Sequence, residues 1–407
     1  MATNHPEAQW FKGAKFGIFP CWCASSVRGI EQSWPIQPYH HQHIDVNEYE
    51  ALVYDFKADK YNPEEWARIA KEAGARYAVL TTKHHDGYCL FDTKTTDYSA
   101  PKTGPGKDLV GPYVEAFRNA GLKVGLYFSL IDWHDPDFPT IPIRQHIASP
   151  KPFKHEPARW NNFLVRVYEQ VRELLTNYGR IDLFWFDVAG WDANRWHSSE
   201  LKTMMLNIQP HLVINNRLPG QGDYITPEQN IPTRPPDGWW ETCMTMNNQW
   251  GYHPDPKQYK SSRRLIRILA EVAGKGGNLL LAVGPKPDGT FPTEAVERLK
   301  AIGQWMSHSS EAIYDTLPGP HASCFYGPMT RRGNKLYLHV FDPPMEGIDV
   351  RGIDGDIAQA YLLKTGESLI VHKQMGRIII DLPAEKCDEF NTVVVLEFRE
   401  EPDWLTA

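Results

Sequence analysis

The sequence predicts a (β/α)8-like barrel followed by a C-terminal antiparallel β-sandwich, on three observations. In the first three quarters of the chain, amphipathic helix patterns close at a glycine and run into near-continuous apolar strands, the mark of a parallel sheet covered by helices. Polar or ionisable residues gather where those strands end, at His84-His85-Asp86, Asp132-Trp133-His134, Asp187 and Asn216-Arg217. Such barrels carry their sites at that end. Beyond Thr316-Leu-Pro-Gly-Pro-His321 the texture changes to short alternating runs separated by Gly, Pro and Asp.

Each element follows in order. Asn62 caps a helix that Pro63 opens, Trp66, Ile69, Ala70 and Ala73 form its apolar face, and Gly74 closes it before the strand Tyr77-Ala-Val-Leu-Thr-Thr82. Val114 and Phe117 mark the second helix, Gly121 its end, and Lys123-Val-Gly-Leu-Tyr-Phe-Ser-Leu130 the next strand. A third helix from Trp160 through Val167, Val171 and Leu174 stops at Tyr178-Gly179 and leads into Ile181-Asp-Leu-Phe-Trp-Phe-Asp187. Leu212-Val-Ile-Asn215 is a further strand, and a helix over Leu265 to Val272 passes Gly276-Gly277 into Leu279-Leu-Leu-Ala-Val283. An open doubly wound sheet would also fit this alternation, but its glycine-rich dinucleotide fingerprint is missing. The β-sandwich strands are Lys335–Val340, Ala358–Leu363, Arg377–Asp381 and Thr392–Phe398. The expected division is therefore a barrel over 1–318 and a β-sandwich over 319–407.

Composition removes several functions. Lys and Arg number 43 against 50 Asp and Glu, a net charge of −7, so no basic surface is expected for nucleic acid. No run of about 18 apolar residues is present to span a membrane. MATNHPEAQWF lacks the basic-then-apolar order of a secretory leader, which leaves the compartment open. Six widely spaced cysteines do not make a disulfide scaffold. The 14 Trp, 18 Tyr and 16 His lean towards carbohydrate, because aromatic rings stack on sugar faces; an aromatic-rich core explains them equally well.

Asp187 is the most informative residue. A carboxylate at the mouth of an apolar strand is costly to desolvate without a partner or a task; the bland alternative is a helix cap. Glycoside hydrolysis needs such a carboxylate with a second one nearby, at about 5–5.5 Å in retaining enzymes. Two candidates follow it. Glu228 lies in a Pro-rich stretch, Thr226-Pro-Glu-Gln229, and Glu241 follows two tryptophans, an apolar setting that raises a carboxyl pKa. Either is equally explained as a solvated loop residue or an ion-pair partner. Cys21-x-Cys23 with His84, His85 and Asp86 offers metal ligands, but no second cysteine pair has zinc spacing, and no metal or other cofactor is expected. Thr103-Gly-Pro-Gly-Lys-Asp108 lacks phosphate-loop spacing and reads as a turn. No Gly-x-Ser-x-Gly elbow is present.

These residues resemble the α-L-fucosidases of glycoside hydrolase family 29 over most of 9–315. The resemblance rests on Trp10-Phe11-x3-Lys15-Phe-Gly-Ile-Phe19, Thr82-Lys-His-His-Asp-Gly87, Tyr127-Phe-Ser-Leu-Ile-Asp-Trp133, Asn177-Tyr-Gly-x-Ile181 and Leu183-Phe-Trp-Phe-Asp187. Trp240-Glu-Thr-Cys243, Trp250-Gly-Tyr252, Gly276-Gly-Asn-Leu-Leu-Leu281, Gly284-Pro285 and Asp288-Gly289 add to it. It implies a retaining, exo-acting glycosidase without cofactor or metal. By position Asp187 matches the family nucleophile, Trp185 lines the sugar pocket, and His84, His85 and Arg217 match sugar-contacting residues. The family acid/base position falls on Glu228, which is preferred over Glu241. Cys21, Trp34, Tyr127 and Glu241 complete the set expected to bind substrate.

One departure matters. The family reads Phe-Ile-His-Trp-Gly where this chain has Phe19-Pro-Cys-Trp-Cys23, so a histidine that binds a sugar hydroxyl, the axial one at C4, is here Cys21. Thiol is a weak donor, and a missing hydroxyl partner shifts preference strongly. The main expectation is removal of terminal α-L-fucosyl residues by double displacement. The alternatives are the same machinery on a C4- or C5-altered sugar such as an α-L-glucoside, and a non-catalytic sugar-binding protein. A neighbouring histidine in Tyr39-His-His-Gln-His43 is the expected substitute if fucose specificity survives.

Overall fold

The computed structural model describes residues 2–138, 157–187, 192–345 and 347–404. Its first half repeats one device. Asn62 accepts a hydrogen bond from the Glu65 N–H at 3.0 Å and starts helix α1, Pro63–Glu72, a cap worth about 1 kcal/mol. Asp108 accepts from the amides of Val110 and Gly111 at 2.8 and 2.7 Å and starts α2, Val110–Asn119; the Thr103–Asp108 segment is thus a turn that ends in a cap. α3 spans Pro157–Thr176, α4 Ser198–Ile208, α5 Ser262–Gly274 and α6 Thr293–Ser309. Gly74 and Gly121 turn with φ of 87° and 80° after α1 and α2, a conformation that other residues reach only with strain.

The strands are β1 Phe16–Pro20, β2 Tyr77–Lys83, β3 Lys123–Ser129, β4 Leu183–Asp187, β5 Val213–Ile214, β6 Glu241–Thr245 and β7 Asn278–Val283. They form one parallel sheet in the order β5-β4-β3-β2-β1-β7-β6. Between its two ends runs an irregular segment. Tyr224 bridges Asn215 just after β5, Ile225 bridges Trp240, and Glu228 bridges Cys243 of β6, all in parallel sense. Residues 224–228 therefore carry the ring round as an eighth stave, so the Pro-rich stretch around Glu228 is tied into the wall instead of standing free as a loop.

Period-2 alternation sorts the side chains. In β4, Leu183 and Trp185 face the barrel interior with Tyr77, Val79, Tyr127 and Leu280, whereas Phe184 and Phe186 pack outward against the helices. Each such fully buried side chain contributes about 1.5–3 kcal/mol. Asp187, last in β4, stands on the interior side above Trp185.

Beyond the barrel, Leu317–Pro318, Met329–Arg332, Lys335–Val340, Ile357–Leu362, Ser368–Leu369 and Thr392–Phe398 form a six-stranded sheet. Ile348–Arg351, Val371–Gln374 and Arg377–Ile380 form a three-stranded one, with a core of Leu336, Leu338, Ile348, Val350, Ile380 and Leu396. The sequence pattern does not reveal the short strands here. Val371–Gln374 carries no buried residue, so it shows no alternation to detect. Among the described residues no helix is long and apolar enough to cross a membrane.

Candidate active site

The strand ends at the carboxyl face of the barrel surround a pocket of about 70 Å³. Asp187 sits in it, only 8% exposed. Its Oδ2 accepts the Tyr127 hydroxyl at 2.6 Å and its Oδ1 accepts Arg217 Nη1 at 2.5 Å. Burial alone would raise this carboxyl, but the Arg217 guanidinium, His85 and the Tyr127 hydroxyl outweigh it and hold Asp187 down at about 2. The register puts Tyr127 beside Trp185 and Ser129 beside Asp187, so these side chains share the interior face.

Arg217 follows β5 and links the site. Its Nε donates to Thr226 Oγ1 at 3.2 Å, and its Nη2 donates to Glu228 Oε2 at 2.7 Å. The guanidinium lies over the Trp185 ring, 4.5 Å from its centroid. One cation thus joins Asp187 and Glu228. Glu228 is held by the stave ladder, with Gln229 N donating to Cys243 O at 2.9 Å and Cys243 N to Pro227 O at 3.2 Å. Gln229 then turns left-handed, φ 53°, a strained conformation for a side chain of this size, and its carboxamide is fixed by Thr245 at 3.0 Å.

β2 ends at Lys83, so His84 and His85 do not diverge as they would on a continuing strand. Both line the pocket, with ring centroids 4.0 Å apart. Burial lowers both imidazoles, His85 to about 4, against the pull of Asp187, so both are neutral at pH 7. Ser129 gives its hydroxyl hydrogen to Ile131 O at 2.7 Å and accepts from His85 Nδ1, also at 2.7 Å. That network makes His85 Nε2, 3.7 Å from Asp187 Oδ2, an acceptor for a ligand hydroxyl. His84 stacks on Tyr127 at 5.5 Å and bonds Ser33 Oγ through Nδ1 at 2.6 Å, which ties the loop carrying Trp34 to β2. Trp34 meets the His85 ring edge-on.

Cys21, Trp34, His84, His85, Tyr127, Trp185, Asp187, Arg217 and Glu228 all line this one pocket. Glu241 does not. It opens β6, fully buried at the amino-terminal side of the barrel, and its carboxylate takes hydrogen bonds from Tyr77, from Trp185 Nε1 at 2.9 Å and from Tyr224 at 3.4 Å. Burial pushes it up to about 7. The apolar setting expected from the two tryptophans is present, but Glu241 stands under the pocket floor, where it steadies Trp185. The histidines of 39–43 do not line the pocket either; His43 Nδ1 is within 3.0 Å of the Pro35 carbonyl. Gln32, Thr81 and Trp250 line it without having been singled out from sequence. Trp250 lies within a family motif, whereas nothing in the sequence marks Gln32. Gly284, also in a motif, has its reason here: a Cβ would collide with the Gly251 backbone beside Trp250.

His84, His85 and Asp187 place donor atoms within 4.8 Å of one another. A cation there would face the Arg217 charge and compete with the hydrogen bonds already on Asp187, so the chemistry of this set favours an uncharged ligand rich in hydroxyls. The family model described as α-L-fucosidase matches residues 2–311. A tissue α-L-fucosidase from Bos taurus is 31% identical, covering 85% of this chain and 77% of its own. α-L-fucosidase isoenzyme 1 from Paenibacillus thiaminolyticus superposes with a TM-score of 0.87 at 36% identity, over 97% of this chain and 99% of that one. A GH29 α-L-fucosidase from Bacteroides thetaiotaomicron, trapped as a covalent intermediate with 2-fluoro-fucosyl fluoride in a Glu-to-Gln mutant, gives 0.86 at 28% identity, over 98% and 97%.

Proposed function

The chain belongs to the α-L-fucosidase family, and from that premise we propose that Asp187 is the nucleophile and Glu228 the acid/base in the removal of terminal α-L-fucosyl residues. The protein is a glycoside hydrolase, an α-L-fucosidase of the retaining type. The relatives support this reading and not the altered-sugar alternative that Cys21 raises. The observation that carries the assignment of roles is the single guanidinium of Arg217, shared by Asp187 at 2.5 Å and Glu228 at 2.7 Å. It keeps the two carboxylates close, as the short spacing of about 5–5.5 Å in retaining pairs demands.

Asp187 is ionised and takes a hydrogen bond on each oxygen, which holds the carboxylate with a lone pair aimed at the anomeric carbon. In the first step it bonds to that carbon while Glu228 gives its proton to the departing oxygen. Glu228 is then charged and Asp187 is a neutral ester, so the charge that Arg217 faces passes from one carboxylate to the other. In the second step Glu228 takes a proton from water, the oxygen attacks the same carbon, and Asp187 leaves. Retention follows from two inversions. Trp185 and Tyr127 offer ring faces, and His85 Nε2 accepts a sugar hydroxyl. The division into a catalytic unit over 1–318 and a β unit over 319–407 is part of the same proposal, with the boundary strand Leu317–Pro318 pairing into the sheet of the β unit. Its test is hydrolysis of 4-nitrophenyl α-L-fucoside beside the α-L-glucoside, with proton NMR of the first sugar released. The expected product is α-L-fucose ahead of mutarotation. Release of the β anomer, or glucoside dominance, would refute it.

A further inference from the structure

We infer that Gln32 is the specificity-determining residue that makes the polar interaction Cys21 is too weak a donor to make, its Nε2 donating to the sugar hydroxyl at C4. The inference rests on the fucosidase reading above. Cys21 and Gln32 both line the pocket, and they share one piece of wall: a Cβ on Gly251 would meet Gln32 Cγ at 3.3 Å and the Cys21 carbonyl at 3.9 Å. Gln32 is 2% exposed, yet its Nε2 finds no oxygen or nitrogen partner among the described residues. The Cys23 thiol lies beside the carboxamide, but sulfur is a weak acceptor. A buried primary amide left without an acceptor is costly, and such groups are rare unless something outside the chain completes them.

The backbone behind Gln32 is fixed. Glu31 is half-buried, and its carboxylate accepts the Gln32 backbone amide at 2.9 Å and the Trp250 backbone amide at 3.0 Å. That clamp joins the two loops whose side chains form this wall and holds the Gln32 stem in place beside the pocket. Cys21 cannot serve in place of Gln32, since burial keeps its thiol protonated and S–H is a poor donor.

The position selects the hydroxyl. Cys21 follows β1, Asp187 ends β4, and β2 and β3 lie between them, so the Cys21–Gln32 wall faces Asp187 from across the mouth. In a pyranose C4 is the ring carbon opposite C1. With C1 held at Asp187, the hydroxyl at C4 is the one directed at Gln32. An amide donor accepts no substitute that lacks this hydroxyl, which gives the discrimination a thiol would not.

The experiment compares wild type, Gln32→Met and Gln32→Glu on 4-nitrophenyl α-L-fucoside and its 2-, 3- and 4-deoxy analogues. Methionine keeps the length of the side chain without its donors; glutamate keeps the shape and exchanges the donor nitrogen for oxygen. Both variants should lose about 10- to 100-fold in kcat/KM on the parent fucoside, and change by less than about 2-fold on the 4-deoxy analogue, because the partner is already absent. Equal loss on all four substrates would assign Gln32 a structural role and overturn the inference. So would no loss on any, or insensitivity of the 2- or 3-deoxy compound in place of the 4-deoxy one. Wild-type turnover of the parent fucoside reports on the fucosidase reading separately, so failure of one is told from failure of the other.

Discussion

Replacing Glu241 by glutamine should flatten the pH dependence of stability while leaving the chemistry in place. Burial under the pocket floor pushes this carboxyl from its ordinary 4.5 up to about 7. The rise of about 2.5 pH units corresponds, at about 1.36 kcal/mol each, to about 3 kcal/mol. The folded chain holds this proton more firmly than the unfolded one, so the stabilisation is complete below about pH 4.5 and is lost as pH rises through about 7. Glutamine does not titrate, and its carboxamide still reaches Tyr77, Trp185 and Tyr224. Urea unfolding followed by tryptophan fluorescence between about pH 4.5 and 8.5 should therefore show wild type losing about 3 kcal/mol relative to Glu241→Gln. Parallel curves would refute the reasoning. Glu241 touches the pocket through the Trp185 indole, at 2.9 Å. Its loss should accordingly lower kcat/KM by less than about 10-fold, and equally for good and poor leaving groups. A loss that grows with leaving-group basicity would make Glu241 the acid/base and displace Glu228.

Three further outcomes follow from the pocket. Asp187→Asn should cut kcat by at least about 10³-fold while circular dichroism shows the fold kept; near-normal turnover would contradict it. Glu228→Gln should slow fucosides with poor leaving groups by roughly 10²- to 10⁴-fold and a dinitrophenyl fucoside far less, with azide restoring turnover as a fucosyl azide. Uniform loss across leaving groups would remove Glu228 from the role. Tyr127→Phe takes one donor from ionised Asp187, a bond worth about 1.5–3 kcal/mol. The acid limb of kcat/KM should move up by about 1–2 pH units from about 2, and a limb that stays put would count against it.

Much of this arrangement was legible in the sequence because it rests on local signals. The Asn62-Pro63 start, the Gly74 and Gly121 stops and the apolar run before Asp187 are decided by neighbours in the chain, and they mark where β2, β3 and β4 lie. What escaped depends on contacts between distant segments. The stave at 224–228 has no strand pattern, since its bridges to Asn215, Trp240 and Cys243 arise only once β5 and β6 are in place. Glu241 reads as a pocket acid from its two tryptophans, and only the register, which opens β6 with it, puts it beneath the floor. Gln32 carries no motif at all. Its importance comes from an amide without an acceptor, a fact of three dimensions.

The most direct test of the central claim is to incubate the enzyme with 2-deoxy-2-fluoro-α-L-fucosyl fluoride and locate the adduct by mass spectrometry of the digested protein. One fluorofucosyl group on Asp187 is the predicted result. An adduct on Glu228, Glu241 or any other side chain, or turnover of the fluoride with no adduct on Asp187, would contradict it.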